Sequence, residues 1–259
     1  LEALARLKAQ LDPAPVLAVV GGHSFQDYRD YREAALASTG ALPPSSACSR
    51  RTLRNRPRGA PMILSDRDIR EALADGRIRI EPIPDLDSAL GSVSIDFRLG
   101  TTFMVFDHIC HSYIDPRQPR SIGDAMRTIE CAEDEPFFMQ PGDFALASTI
   151  ESLELPDDLL GRLEGRSSIA RLGITVHSTA AVFEPGWVGT ATMELSNLGR
   201  MPVALYPGMR ICAFSFEKVS SPVSVPYRLK VGNKYAGQIT PRASLLSEES
   251  GALKSDSSG

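Results

Sequence analysis

From Arg77 onward the chain is a series of short apolar runs, and that pattern confines it to a β fold. Arg77–Ile80, Val93–Leu99, Thr102–Phe106, Pro136–Met139, Phe144–Ser148, Thr190–Leu195, Val203–Tyr206 and Arg210–Phe216 read as strands. The turn pairs Pro141-Gly142, Pro185-Gly186 and Pro207-Gly208 separate several of them. Many short strands at this spacing, with one or two helices, predict an all-β domain: a sandwich or a distorted barrel. No repeat of 20–50 residues is present, which leaves solenoids and propellers without support.

The domain should begin at Met62. Ser65-Asp66-Arg67-Asp68 reads as an N-cap with acid in the first turn, Ile69, Ala72 and Leu73 form an apolar stripe, and Gly76 can close the helix. Residues 1–61 read as a disordered leader or a mis-assigned start. They hold a weak helical pattern near Leu1–Leu11, then Pro43-Pro44-Ser45-Ser46 and a basic run of Arg50, Arg51, Arg54, Arg56 and Arg58. A nucleic-acid-binding arm is the sharper reading of that run, but a solvated leader is preferred. The domain is expected over residues 62–243 and a flexible tail over 244–259.

Composition narrows the function. The 259 residues carry a formal net charge of −4, which argues against broad nucleic-acid or membrane-surface binding. An anionic ligand must then be held by a local cluster. Val16 to Val20 is too short to span a bilayer, and a secretory signal pattern is lacking. Cys48, Cys110, Cys131 and Cys212 are scattered without a CxxC pair, so neither zinc nor a disulfide framework is signalled, and a reducing cytoplasm is the default setting.

The local cluster is Gly165-Arg166-Ser167-Ser168-Ile169-Ala170-Arg171-Leu172-Gly173. Guanidinium forks, hydroxyls and accessible backbone N–H groups are what a polyphosphate requires. The same residues read equally as a turn leading into a short helix, and they are no Walker loop. Glu194, in Thr192-Met193-Glu194-Leu195, is a carboxylate in an apolar strand. Its neighbours should face the opposite way, so it points into a site or into solvent. His108, Cys110 and His111 match no standard zinc spacing. His177 reads as a satisfied core histidine and Trp187 as a core or interface anchor.

Taken together, these motifs resemble the dCTP deaminase family. Gly165–Gly173, His177-Ser178-Thr179-Ala180, Glu184-Pro185-Gly186-Trp187 and Met193-Glu194-Leu195 carry the likeness in order. Met62–Ile69, Ser94–Gly100, Tyr206–Met209 and Lys234–Gln238 extend it across most of residues 62–238. The resemblance implies a dUTPase-like distorted β-barrel, a homotrimer with active sites between subunits, and hydrolytic deamination of dCTP to dUTP and ammonia in thymidylate precursor synthesis. It implies Glu194 as general acid and base, with Arg171 and Ser167 at the reacting centre. Arg166, Ser167, Ser168, Ile169, Ala170 and Arg171 would hold the triphosphate. Thr192 and Met193 would lie along the base through their backbone, and the Ala180 carbonyl would fix the pyrimidine or the water. Tyr227, Lys234 and Gln238 would close over the nucleotide. Mg2+ would arrive on the triphosphate, with no protein-bound catalytic metal, and dTTP is a candidate feedback ligand.

The chemistry is coherent with those roles. Water must add at C4 of cytosine before ammonia leaves, and the His-x-Glu and Pro-Cys-x-x-Cys segments of zinc deaminases are missing. A carboxylate that takes and returns protons is then required, and Glu194 is the candidate. Some residues depart from the family pattern. Glu184, which the resemblance implies as a nucleotide contact, stands where the family usually has Asp, and Ala181-Val182 replaces a more polar pair. A bifunctional branch that continues to dUMP usually has Gly and Gln where this chain has Ala181 and Ala213, yet Glu194-Leu195-Ser196-Asn197 resembles that branch. The sequence favours deaminase alone. The alternatives are the bifunctional enzyme, a dUTPase-like pyrophosphatase, and a nucleotide-sensing scaffold.

Overall fold

A computed structural model describes residues 62–107, 113–115 and 123–246. The leader, its basic run, His108, Cys110, His111 and the tail from residue 247 lie outside the described residues.

The first helix forms where its cap predicts. In α1 (Asp66–Ala74) the Ser65 hydroxyl accepts from Asp68 N–H at 3.4 Å, and the Asp68 carboxylate accepts from Ser65 N–H at 3.1 Å. These reciprocal bonds satisfy two of the donors that a helix start leaves open. Ile69 and Ala72 turn inward, and the helix ends at Asp75, just before Gly76.

The rest is chiefly antiparallel sheet. The strands are β1 (Met62–Ile63), β2 (Arg79–Glu81), β3 (Ile95–Phe106), β4 (Met126–Glu130), β5 (Phe137–Met139) and β6 (Phe144–Glu154), then β7 (Leu159–Gly165), β8 (Ile174–Thr175), β9 (Val182–Phe183), β10 (Val188–Asn197), β11 (Val203–Leu205) and β12 (Arg210–Lys218). The short helices α2 (Leu86–Ala89) and α3 (Ser167–Ala170) lie between strands, and a 3-10 turn follows at Tyr227–Leu229. The main sheet runs β8-β10-β6-β3-β12-β7-β9, with β1 beside β12, β2 beside β6 and β4 beside β3; β11 and β5 form a separate pair. The all-β expectation is met. Among the described residues no helix is long and apolar enough to cross a membrane.

Strand β3 curls this sheet. The sequence divides Val93–Leu99 from Thr102–Phe106, but the structure joins them in one strand. Its first half pairs with β12 (Ile95 opposite Phe214) and its second with β4 and β6 (Phe103 opposite Ile129 and Ala147). A register shift lies between Leu99 and Phe103. Gly100 sits there, and a Cβ on it would come within 2.9 Å of the Ser148 carbonyl oxygen. A residue without a side chain thus lets two backbones close up at the bend.

Phe97, Phe103, Phe214, Phe216, Ile95 and Leu99 fill the core and are fully buried. From it a chain of rings leads outward. Phe97 meets Phe214 at 4.8 Å, Phe214 meets Phe183 at 5.0 Å, Phe183 meets Trp187 at 4.8 Å, and Trp187 stacks on Tyr227 at 5.3 Å. Offset and edge-to-face pairs at these separations are favourable beyond their buried area.

Candidate active site

The outer end of that ring chain opens into a cavity of about 490 Å³. Its floor belongs to β10. Met193 and Leu195 point into the core, while Thr192 and Glu194 line the cavity from the other face, as strand alternation requires. The β10–β6 register sets Glu194 opposite Leu146, and both reach the cavity. The segment after β8 turns back over this strand, so that Ser178 N–H donates to Glu194 Oε2 at 2.9 Å and Glu194 N–H donates to the Val176 carbonyl at 3.1 Å. The carboxylate is therefore held by a backbone donor and half-buried. The Thr192 hydroxyl is buried without a hydrogen-bond partner. Phe106, Met126 and Phe144 add an apolar wall.

The C-terminal segment forms the rim. Tyr227 N–H donates to Pro185 O at 2.9 Å, Arg228 pairs with Asp157 at 2.9 Å, and Lys230 pairs with Glu184. Farther along, Gly237 N–H donates to Val188 O at 2.8 Å, and Thr190 N–H donates to Gln238 O at 2.9 Å. Gln238 Nε2 returns a bond to Thr190 O at 3.0 Å. Gly189 makes this docking feasible: its φ is +129°, and a Cβ there would lie 2.6 Å from the Gln238 carbonyl oxygen.

Of the residues expected at the site, the structure brings Ala180, Glu184, Thr192, Glu194, Tyr227 and Gln238 together around the cavity. Met193 does not line the cavity, and its side chain is in the core. Arg166, Ser167, Ser168, Ile169, Ala170, Arg171 and Lys234 do not line the cavity of their own chain. The arginine-serine segment does turn into a helix, α3, which Arg166 caps and which Ile169 anchors by burying its side chain. Ser167, Ser168 and Arg171 stand exposed on its surface. Trp187 proves to be both core and cavity wall. His177 differs from expectation: its Nδ1 is buried without a partner, so it is not a satisfied core histidine. Tyr235, which falls within the Lys234–Gln238 run, also lines the cavity, as do Arg242 and Ser244, which carry no motif signal. Two buried or partly buried carboxylates were given no role by the sequence, although Asp96 falls within the Ser94–Gly100 run. Glu151 accepts from Arg98 Nε at 2.6 Å and Arg98 N–H at 2.8 Å, and Asp96 faces two guanidiniums.

The dCTP deaminase-like family profile matches residues 63–219, more than half of the chain. The chain belongs to the dCTP deaminase-like family. A dCTP deaminase of Thermomicrobium roseum is 74% identical over 188 residues, 73% of this chain and 95% of that protein. A Dictyoglomus thermophilum protein named dCTP deaminase, dUMP-forming, is 52% identical over 71% of this chain and 95% of its own length. A solved 2′-deoxycytidine 5′-triphosphate deaminase from Agrobacterium tumefaciens aligns with 21% identity and a TM-score of 0.48, over 61% of this chain and 49% of that one. Within the dCTP deaminase-like match fall both the Glu194 cavity floor and the exposed arginine-serine helix, whereas the rim from Tyr227 onward lies beyond it.

Proposed function

We propose that this chain hydrolyses dCTP to dUTP and ammonia, with Glu194 as general acid and base. The observation that carries the reading is the placement of Glu194 on the cavity floor, fixed through Oε2 by Ser178 N–H. The carboxylate takes a proton from water as the oxygen adds to C4 of cytosine, and delivers it to N3. It then carries the proton of the new C4 hydroxyl to the exocyclic nitrogen. The C4–N bond breaks, ammonia leaves, and the C4 carbonyl of uracil forms. Proton transfer of this kind contributes about 10²–10⁴-fold in rate.

The other residues position the substrate. The backbone of Thr192 and Met193 lies along the base, and the Ala180 carbonyl orients the pyrimidine or the water. Tyr227, Gln238 and Lys234 enclose the nucleotide from the C-terminal segment, and Glu184 acts at the rim through Lys230. The triphosphate carries its own Mg2+. Arg166, Ser167, Ser168 and Arg171 grip it from a second copy in a homotrimer, a role supported by their position outside their own chain's cavity and by the exposure of Ser167, Ser168 and Arg171. The enzyme acts in the cytoplasm, where this nucleotide is made and used.

A second reading, continuation to dUMP and pyrophosphate at the same site, is favoured by the dUMP-forming relative and by the Glu194–Asn197 run. The simpler product is preferred because the relative at 74% identity is named a deaminase alone. Glu194→Gln tests the shared chemistry. The amide accepts no proton, so turnover should fall by about 10²–10⁴-fold while dCTP binding, measured by calorimetry, persists. Substantial turnover in that variant rejects the assignment of Glu194.

A further inference from the structure

Three adjacent strands, β3, β12 and β7, converge beside the arginine-serine helix and bring together one carboxylate and two guanidiniums. Asp96 of β3 sits opposite Ala213 of β12, and Ala213 in turn sits opposite Glu164 of β7. Arg166, at the end of β7, donates through Nε to Asp96 Oδ2 at 2.9 Å, and its terminal nitrogen donates to the Arg210 carbonyl at 2.9 Å. Arg210 reaches the same Asp96 oxygen at 3.3 Å and also donates to the Ser88 carbonyl. The Asp96 side chain is 18% exposed and that of Arg166 24%, so this carboxylate is largely enclosed by its partners.

We propose that Asp96 is a positioning residue for triphosphate binding: it fixes the Arg166 guanidinium, and holds Arg210 beside it, before any nucleotide arrives. The inference rests on the reading of Arg166 as a triphosphate ligand. Arginine offers five N–H donors, and the two bonds found for Arg166 occupy two of them, leaving three for phosphate oxygens. Asp96 is the carboxylate that both guanidiniums contact. A flexible side chain that is already ordered loses less entropy on binding, and this preorganisation appears as affinity. Asp96 touches neither the cavity nor Glu194, so its effect should fall on substrate capture rather than on proton transfer.

The test compares Asp96→Ala, Asp96→Asn and Arg166→Gln in the full chain, with dCTP and Mg2+ as the probe. Asp96→Ala is expected to raise KM for dCTP by roughly tenfold, the scale of one charge-assisted bond. Its kcat should stay within about twofold of the parent, which separates binding from chemistry. Asp96→Asn keeps an acceptor without the charge, so its KM should fall between the two. Combining Asp96→Ala with Arg166→Gln should raise KM no further than Arg166→Gln alone. If Asp96→Ala does not fold, Asp96→Asn carries the test. A KM near the parent's in the Asp96 variants, with a raised KM in Arg166→Gln, overturns the proposal and leaves the triphosphate reading standing. An unchanged KM in Arg166→Gln removes the triphosphate reading, and the proposal with it.

Discussion

Among single residues, the face of a strand that a side chain occupies decides its part in the site. Glu194 and Met193 are neighbours in sequence, yet one lines the cavity and the other fills the core. Strand alternation made that division legible, because Met193 and Leu195 bracket Glu194 with apolar side chains. Asp96 was illegible for the opposite reason. Its partner Arg210 lies 114 residues away, and only the sheet order brings them together. Cys212 supports a prediction about reactivity. Burial pushes its thiol far above the usual range, and the nearby Glu151 and Asp96 charges add to the shift. Since the thiolate is the nucleophile, Cys212 should resist iodoacetamide in the native protein at neutral pH and react once denatured. Mass spectrometry of the Cys212 peptide reads this directly, and rapid native labelling would contradict its buried placement.

At the scale of elements, caps and close backbone approaches decide what forms. The α1 capping box should contribute about 1 kcal/mol, so Ser65→Ala should lower the denaturation midpoint accordingly. Asp68 is held below the ordinary aspartate value of 3.8, chiefly by the Ser65 backbone N–H and then by its hydroxyl. A depressed carboxylate stabilises the fold above the unfolded value and loses that contribution as pH falls through its folded value. The gap between parent and Ser65→Ala should therefore narrow on acidification below about pH 4; a gap that widens there would rule out this cap. Docking of the C-terminal segment rests on Gly189. Gly189→Ala should displace Gln238 and raise KM for dCTP while the core stays folded, measured by kinetics beside a melting curve. Some strands were readable and some were not. β12 and β10 appear as apolar runs, whereas β4 (Met126–Glu130) has a polar pattern and β7 (Leu159–Gly165) mixes charge with glycine. Those two gain their strand character from partners: β4 from β3, and β7 from β12 on one side and β9 on the other.

At the scale of the whole molecule, the two halves of the proposed site do not meet within one chain. The cavity holds Glu194, the group proposed to transfer protons, and the arginine-serine segment that carries Arg166 and Arg171 lies outside it. The family resemblance of the motifs implies sites between subunits, and the separation of the two halves within one chain agrees with it. A homotrimer that shares its sites predicts subunit complementation. Glu194→Gln and Arg171→Ala, each strongly impaired alone, should recover part of the parent activity when co-assembled, because some interfaces then pair two intact halves. No recovery in verified mixed assemblies would place both halves in one subunit. Removal of the amino group of dCTP without further hydrolysis is read most directly by incubating the assembled protein with dCTP and Mg2+ and quantifying products by chromatography with an ammonia assay. The expected products are dUTP and ammonia in equal amounts. Absence of ammonia contradicts the deaminase, and dUMP with pyrophosphate contradicts a reaction that ends at dUTP.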